Sequence, residues 1–514
     1  MKVAVAVDAA RVPRWQRDAI DGLRALDGVE VAIVDLPGAA PSAFEARLAG
    51  PALAPAALAP DPDALRDAAV VLNFTASALD AEPAHGVWSL RLGESAGDPL
   101  PFAREVARRD VTVEVALVRR RSGEVTVVRS GRFVIPLWFP TLLRLTLAEA
   151  GRWPATFVAA LRDGIALPAS AAPPPAAPSM PGPNRLRLLA ALTRRFAGGM
   201  REAFFTVDQW NVGFARGGPR ALLDGAPLDV TWLPDPPPRS FVADPFVVER
   251  DGMRVLFLEE FNYVRDRGVI DALVLDAQNR VVRRTRALDL PFHLSYPFPV
   301  EIDGELYLMP ESCAANEVAL YRCVAFPDRW ERASAVLPGI DGVDTTPFLH
   351  EGRWWLFCTR SSSGPSLALH AFHAPGPRGP WQPHRLNPIV VDVASARPAG
   401  PLFVVDGVLY RTGQDCSRTY GGAVAVVRID ELSPDAYRET LVRRIAPPPG
   451  RFADGFHTIG FSGDLLVVDG KRTYRDVRNA GRALRALRIR IARAIHRSRS
   501  HRAPAPQAPR IQDR

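Results

Sequence analysis

Cysteine is scarce in this chain of 514 residues, and long hydrophobic runs are absent. The four cysteines show no CxxC spacing, so we expect free, mostly buried thiols instead of a disulfide framework. The most apolar stretch, residues 133–148, contains two prolines and Arg144 and is too short to span a bilayer. The opening residues carry one lysine and an early aspartate, which argues against a signal peptide. These absences predict a cytoplasmic protein.

Metal and phosphate motifs are also missing. The nine histidines are scattered without carboxylate-rich ligand spacing, and no glycine-rich phosphate loop occurs, so the sequence predicts no metal and no cofactor. The formal charge of +8 is concentrated at one end: residues 471–514 hold 14 Lys and Arg against Asp476 and Asp513, which is +12 and leaves about −4 for the remainder. This balance argues against nucleic-acid binding by the folded part.

A repeat dominates the second half of the sequence. Between Ala243 and Lys471, an apolar strand, a tight turn with glycine and a second apolar strand recur five times. The turn glycines are Gly252, Gly304, Gly352, Gly407 and Gly463, at intervals of 52, 48, 55 and 56 residues by subtraction. This spacing is typical of β-propeller blades, whose first strands line a central depression. The sequence therefore predicts a five-bladed β-propeller, an all-β fold.

Four segments follow from the pattern along the chain. Residues 1–166 alternate strand-like and helix-like stretches and predict an α/β domain with a parallel sheet. Residues 167–183 form a Pro/Ala-rich linker, and residues 184–475 form the propeller. We expect the segment FFTVDQWNVGFARG to close the ring with the last blade. Residues 476–514 predict a basic amphipathic helix and a disordered tail.

The basic tail leaves two interpretations open. It is either a solvated basic segment or a contact with an anionic membrane surface or an acidic partner. The second interpretation would place a cytoplasmic protein at the inner membrane.

The first domain resembles the formyltransferase fold, a Rossmann-like unit, over about residues 1–160. The resemblance is carried by DAAVVLNFTASAL, HGVWSLRLGES and the segment that follows. Ser89 and Arg91 stand where active members carry Asn and His, and Arg121 stands near the position of their Asp. Formyl transfer needs an oxyanion donor and a base, so the resemblance implies a degenerate domain without that activity.

The repeat region resembles the five-bladed propellers of the glycoside hydrolase family 43 and 32 group. It is most similar to the N-terminal domain of the glucosamine inositolphosphorylceramide transferase family, through ADPFVVERDG, HLSYPFPVEIDGELYLMPES, GVDTTPFLHEGRWWLF and FHTIG. The resemblance implies a place in glycan or glycolipid assembly, with a carbohydrate or nucleotide-sugar as ligand. Fold-level resemblance does not determine the reaction.

The candidate site lies where the blades meet the axis. Residues just before each inner strand should converge at one mouth: Asp244, Tyr296, Asp344, Arg397 and His457. A second ring should come from the following strands, seven residues after each turn glycine: Glu259, Glu311, Thr359 and Gln414, with Asp415 adjacent. Several acids, one arginine and aromatic faces suit the hydroxyl groups of a sugar.

The resemblance assigns roles to some of these residues. Asp244 matches the base or nucleophile of the hydrolases, Asp344 the aspartate that adjusts the acid, and His457 the pocket histidine. The family's general acid lies in an EGP sequence, but this chain has Ala399, Gly400 and Pro401. Glu311 could supply the missing acid, and Arg397 could bind an anionic group of the ligand.

Each of these residues also has a purely structural interpretation. Asp244 could be a turn residue before Pro245, and His457 a contact between blades. Asp344 and Glu311 could pair with Arg397, and Asp415 could hold its own loop. The sequence thus predicts either a sugar-holding module or an enzyme that cleaves or transfers a glycosyl group with Asp244, Glu311 and Asp344.

Overall fold

A computed structural model describes residues 1–9, 11–36, 63–75, 77–94, 100–168, 185–225, 227–477, 479–481 and 484. Most of the predicted linker and nearly all of the predicted basic tail lie outside the described residues. No described helix is long and apolar enough to cross a membrane.

The N-terminal domain is an α/β unit built on a six-stranded sheet. The strands are β1 (Lys2–Val7), β2 (Glu30–Asp35), β3 (Val70–Asn73), β4 (Val87–Leu92), β5 (Thr112–Arg121) and β6 (Glu124–Val134). Their order is β2-β1-β3-β4-β5-β6, with parallel pairing as far as β4. Strands β5 and β6 are antiparallel, so the predicted parallel sheet is in fact mixed. Strand β5 already runs antiparallel to β4, and a tight turn at Ser122 and Gly123 joins β5 to β6.

Helices cover this sheet. They are α1 (Arg14–Arg24), α2 (Ala64–Asp67), α3 (Ala103–Arg108), α4 (Phe139–Ala150) and α5 (Trp153–Arg162). Helix α1 buries Ala19, Ile20 and Leu23 on one side, and the apolar residues of α4 and α5 join the same core. A long helix, α6 (Arg185–Phe205), leads towards the propeller, and α7 (Gly218–Asp224) follows the first strand of the propeller segment.

The propeller has five blades, as the repeats predict. Blade 1 contains β9 (Ser240–Arg250), β10 (Met253–Asn262), β11 (Arg267–Leu275) and β12 (Val281–Leu288). Blade 2 contains β13 (Ser295–Ile302), β14 (Glu305–Glu311), β15 (Glu317–Ala325) and β16 (Arg329–Pro338). Blade 3 contains β17 (Gly342–His350), β18 (Arg353–Arg360), β19 (Ala368–Ala374), β20 (Gln382–Pro383) and the short β21 (Val390–Val391). Each blade begins with its innermost strand.

The last two blades complete the ring. Blade 4 contains β22 (Phe403–Val405), β23 (Val408–Asp415), β24 (Ala423–Leu432) and β25 (Tyr437–Ile445). Blade 5 combines β26 (Ile459–Ser462) and β27 (Leu465–Arg475) with β7 (Thr206–Arg216) and β8 (Thr231–Trp232). Strands from both ends of the propeller segment therefore share one blade, which confirms the predicted closure by FFTVDQWNVGFARG and protects the strand edges.

All five predicted turn glycines have a positive φ, between 56° and 79°. Asp251, Asp303, Glu351 and Asp406, which precede four of them, also lie in the left-handed region. Two consecutive residues with positive φ form the type I′ turn that matches the twist of a hairpin.

Contacts divide the chain into two units: Met1–Leu192 with Gln209–Arg472, and Thr193–Asp208 with Thr473–Arg514. In the first, the N-terminal domain and the propeller share one apolar core, to which the propeller contributes Ala368, Leu386 and Val391. In the second, Thr473 donates a hydrogen bond to Asp208 and Asn479 donates one to the carbonyl of Thr206.

All four cysteines are free, but only Cys358 is buried, so the expectation of mostly buried thiols is wrong for the other three. Cys313, in the 3-10 helix Cys313–Ala315, Cys323, in β15, and Cys416, directly after β23, are half-buried.

Candidate active site at the propeller axis

The inner strands of three blades bend at equivalent positions near the axis. The register of each strand with its neighbour shifts at Asp244, Tyr296 and Asp344, where two residues oppose one. These three residues have φ angles of 54°, 45° and 50°. A β-bulge of this kind re-aims side chains, and such bulges occur next to active sites. All three side chains are buried.

Asp344 holds the pocket arginine. Arg397 Nε donates to Asp344 Oδ2 over 2.6 Å and Nη2 donates to Oδ1 over 3.3 Å. Gln414 Nε2 donates to the same Oδ2 over 2.7 Å and to the carbonyl of Pro398 over 2.9 Å. Three predicted residues, Asp344, Arg397 and Gln414, therefore meet. Asp344 and Arg397 pair with each other, as the structural interpretation of these two residues predicts. A buried guanidinium and carboxylate paired in this way neutralise each other.

Two glutamates at equivalent positions of blades 1 and 2 have oxygen atoms without hydrogen-bond partners: Glu259 Oε1 and Glu311 Oε2. Burial, together with the negative charge of Asp344, raises the pKa of Glu311 to about 8. Burial and the nearby acids, Asp244 first, raise the pKa of Glu259 well above its usual range. Glu311 is therefore protonated at neutral pH and can donate as well as accept a hydrogen bond, and the upward shift of Glu259 favours the same form.

Around Glu311, Arg397 Nη2 lies 3.7 Å from Oε2, and Cys313 Sγ lies 3.2 Å from Oε1. Around Glu259, His293 Nε2 lies 3.7 Å from Oε1. Phe261, whose ring centre is 5.9 Å from that of His293, stacks on Phe241 at 5.0 Å. The half-buried aromatic rings beside Glu259 offer apolar faces to a ligand.

Asp244 and His457 form a second buried pair in the site. His457 Nε2 lies 3.3 Å from Asp244 Oδ1, and Nδ1 lies 2.8 Å from Asp469 Oδ2. Burial lowers the pKa of His457, but the two carboxylates, Asp469 first, outweigh it, so the net shift is upward. Burial raises the pKa of Asp244 to about 6, although the charge of His457 opposes this shift. The upward shift of His457 favours the imidazolium form, which faces the Asp244 carboxyl.

Asp244, His457 and Asp469 lie close enough to hold a metal ion, a grouping that the sequence spacing did not predict. The carboxylate oxygens of Asp244 and Asp469 are already engaged. Asp469 accepts hydrogen bonds from the backbone N–H groups of Asp244, His457 and Thr458. Asp244 accepts from the Thr458 hydroxyl over 2.7 Å and from the Tyr296 N–H over 3.1 Å. The upward pKa shift of His457 favours the imidazolium form, which has no lone pair for a metal ion, so this trio fits a hydrogen-bond network better.

Sequence reasoning missed several residues of the site. Asp469 underlies His457, and Trp210, from the strand that closes the ring, lies 4.1 Å from the His457 ring. The Tyr420 ring lies 5.0 Å from the Arg397 guanidinium carbon, and Tyr420 is 41% exposed, so it marks the mouth of the pocket. The buried Lys471 donates to Thr419 Oγ1 and to the Tyr420 carbonyl. The position of this lysine within an otherwise apolar strand was the sequence signal that could have identified it as a support for Tyr420.

Tyr296 and Asp415, two further predicted residues, make contacts within the protein. Tyr296 packs edge-on against Phe246 at 4.9 Å, and its hydroxyl lies 2.9 Å from Thr346 Oγ1. Asp415 accepts from the Ser417 N–H and pairs with Arg444 at 3.0 Å, so it holds the following loop. A cavity of about 840 Å³ beside Trp232 and Gln278 is lined by none of the predicted site residues.

Residues 234–449 match the model of the family described as glucosamine inositolphosphorylceramide transferase 1, N-terminal. The resemblance recognised from the sequence is confirmed over these residues. The transferase of that name from Oryza sativa subsp. japonica is 37% identical over 211 residues, which are 40% of this chain and 28% of the relative. The Arabidopsis thaliana protein gives the same identity and coverage. The chain thus spans little more than a quarter of the length of these relatives.

Solved structures with a similar chain path include glycoside hydrolases. A family 117 enzyme from Zobellia galactanivorans is 12% identical, with a TM-score of 0.34, and the match covers 53% of this chain and 91% of that chain. An exo-beta-1,3-galactanase from Clostridium thermocellum is 12% identical, also with a TM-score of 0.34, over 41% of this chain and 53% of that chain. The resemblance of the first domain to formyltransferases stays a prediction.

Proposed function

We propose that the propeller holds a glycan or a nucleotide-sugar at its axis and acts in glycan or glycolipid assembly. The observation that carries this proposal is the pair of buried glutamates, Glu259 and Glu311, each with an oxygen atom that lacks a hydrogen-bond partner. A buried polar atom without a partner is costly, and a sugar hydroxyl would satisfy it. The aromatic rings beside Glu259 and at Tyr420 would pack against the apolar faces of the sugar.

The family match supports the same class of ligand. The relatives are named for a sugar, glucosamine, and for a lipid, inositolphosphorylceramide. Arg397 is paired with Asp344, which neutralises its charge. This ion pair favours binding over catalysis.

A second function, cleavage or transfer of a glycosyl group, is favoured by one specific observation. The pKa of Glu311 is raised to about 8 and that of Asp244 to about 6. At neutral pH one carboxyl is therefore protonated and the other ionised, which is the division between general acid and base or nucleophile that glycoside chemistry requires. Asp344 would then adjust Glu311 through its charge.

One experiment tests both proposals. Binding of a panel of monosaccharides, uronic acids and nucleotide-sugars is measured by calorimetry on the wild type and on Asp244→Ala, Glu311→Gln and Asp251→Asn, with product analysis of each mixture. Asp251 lies in an exposed turn of blade 1 and serves as the matched control. We expect both site variants to lose at least tenfold in affinity, without turnover in the wild type.

Turnover that disappears in both Asp244→Ala and Glu311→Gln would establish the enzyme instead. Binding that survives in both variants would place the ligand elsewhere and reject both proposals.

A further inference from the structure

The N-terminal domain meets the propeller at the segment that leads to the pocket arginine. The end of strand β6 and residue Asp392 form a parallel bridge, and the Val393 N–H donates to the Arg132 carbonyl over 3.1 Å. Val391 is buried in the core of the N-terminal domain. A Cβ atom at Gly131 would lie 3.0 Å from Val391 Cγ1, so a glycine allows this close approach.

Further contacts make this joint specific. Arg129 Nη2 donates to the Leu386 carbonyl over 2.9 Å, and its guanidinium lies 4.7 Å from the ring centre of Phe157. Burial lowers the pKa of Arg129 to about 10. Arg385 pairs with Asp163 at the end of helix α5. The contacts with this stretch of the propeller therefore include polar as well as apolar groups.

From this joint, a continuous set of hydrogen bonds leads to the axis. The Val393 carbonyl accepts from the Cys416 N–H over 3.0 Å, and the Ser395 carbonyl accepts from Arg411 Nη1 over 2.6 Å. The Arg397 carbonyl accepts from the Gln414 N–H over 2.7 Å. Gln414 and Arg397 both bond Asp344. Every residue from 393 to 400 is buried, so this segment has little freedom to move independently of its supports.

We infer that the N-terminal domain is a positioning element of the axial site: strand β6 fixes residues 391–397 and thereby the guanidinium of Arg397. The degenerate first domain is then a structural part of the pocket, and the pocket requires both domains. Val391 is the positioning residue, since it lies in the propeller but packs into the core of the N-terminal domain. The expected effect on ligand binding rests on the proposed function. The expected effect on the rigidity of residues 391–397 does not.

The test compares Val391→Ala with Val336→Ala in the full chain. Val336, in blade 2, is 6% exposed against 3% for Val391, but it packs in a separate core cluster of the propeller. Both variants remove the same buried atoms. Hydrogen exchange at the Val393 and Cys416 amides is measured together with thermal unfolding. We expect Val391→Ala to speed exchange at these two amides at least tenfold, and Val336→Ala to leave them at the wild-type rate.

Equal exchange in the two variants, or wild-type exchange in Val391→Ala, would overturn the inference. Where the wild type binds a sugar, Val391→Ala should weaken that binding at least threefold, and the loss should shrink when Arg397→Lys is already present, because both changes act through one group. A loss of unchanged size in that background would contradict action through Arg397. If the wild type binds no sugar, the proposed function fails, while the exchange result still decides the positioning role.

Discussion

Glu311 is the residue whose protonation best reports the state of the site. Its pKa rises from an ordinary 4.5 to about 8, because the carboxyl is buried and lies near Asp344. The folded protein therefore binds this proton more tightly than the unfolded chain does. Between these two pH values the unfolded state loses the proton first, so the free energy of unfolding falls as the pH rises. The raised pKa of Asp244 adds a smaller decrease in the free energy of unfolding between pH 3.8 and about pH 6.

The variant Glu311→Gln removes the larger of these titrations. Between pH 5 and pH 8 the free energy of unfolding decreases in both proteins. We expect the decrease to be smaller in the variant than in the wild type by at least about 1 kcal/mol, since one pKa unit corresponds to about 1.4 kcal/mol. Urea unfolding at several pH values measures this. Glu301→Gln, an exposed change on the inner strand of the same blade, should keep the wild-type dependence. Parallel curves for wild type and Glu311→Gln would show that Glu311 ionises normally.

Asp344 gives a second prediction, because it is the partner of a buried cation. Asp344→Asn leaves Arg397 without its anion, and we expect a loss of about 3 kcal/mol or more in unfolding free energy. Asparagine tolerates the left-handed backbone at this position, so the change isolates the charge. Asp406→Asn is the control, because it breaks an exposed ion pair: the side chains of Asp406 and Arg220 are 72% and 60% exposed. Its loss of unfolding free energy should stay below about 1 kcal/mol. Similar losses in the two variants would refute the argument.

The strand bulges are the elements that sequence reasoning did not foresee. The alternation and spacing of the repeats predicted five blades, their turns and the closing strand, and the structure has all of them. The same spacing placed Asp244, Tyr296 and Asp344 before straight inner strands, yet each lies in a bulge with positive φ. A bulge depends on pairing with the neighbouring strand, and sequence periodicity does not report that pairing. The pairing of Arg397 with Asp344 and Glu311 was only one of two interpretations for the same reason, since these residues belong to separate blades.

The hairpin turns allow an element-scale prediction. Glu351 has a φ of 48°, in the turn position that Asp occupies in three other blades, and its side chain is 82% exposed. Asparagine fits a left-handed turn residue better than glutamate does, so Glu351→Asn should stabilise the protein by about 0.5 kcal/mol. Thermal unfolding measures the gain. Asp251→Asn, at the equivalent turn of blade 1, should change the stability by less than half as much. A destabilised Glu351→Asn would mean that the turn has a different strain.

At the scale of the whole molecule, two sequence regions that look separable share one core. The Pro/Ala-rich stretch 167–183 predicts a boundary between domains, and composition gives no sign that they touch. Yet the core of the first domain includes Leu386 and Val391 of the propeller, and Arg129 reaches across to a propeller carbonyl. Gly131 and Val391 are ordinary strand residues in the sequence. Their meeting is a tertiary contact between segments about 260 positions apart, by subtraction, which local patterns do not encode.

This shared core predicts that both domains unfold together. When two domains share buried apolar residues, neither can unfold without exposing apolar surface of the other. Calorimetry should therefore show one unfolding transition, with equal calorimetric and van't Hoff enthalpies. Val391→Asp places a charge in the shared core, where burying an unpaired carboxylate is costly, and should split the transition in two. Val282→Asp, on an exposed strand of blade 1, should leave the single transition intact. Two transitions in the wild type would show that the contacts at Val391 and Arg129 are too weak to couple the domains.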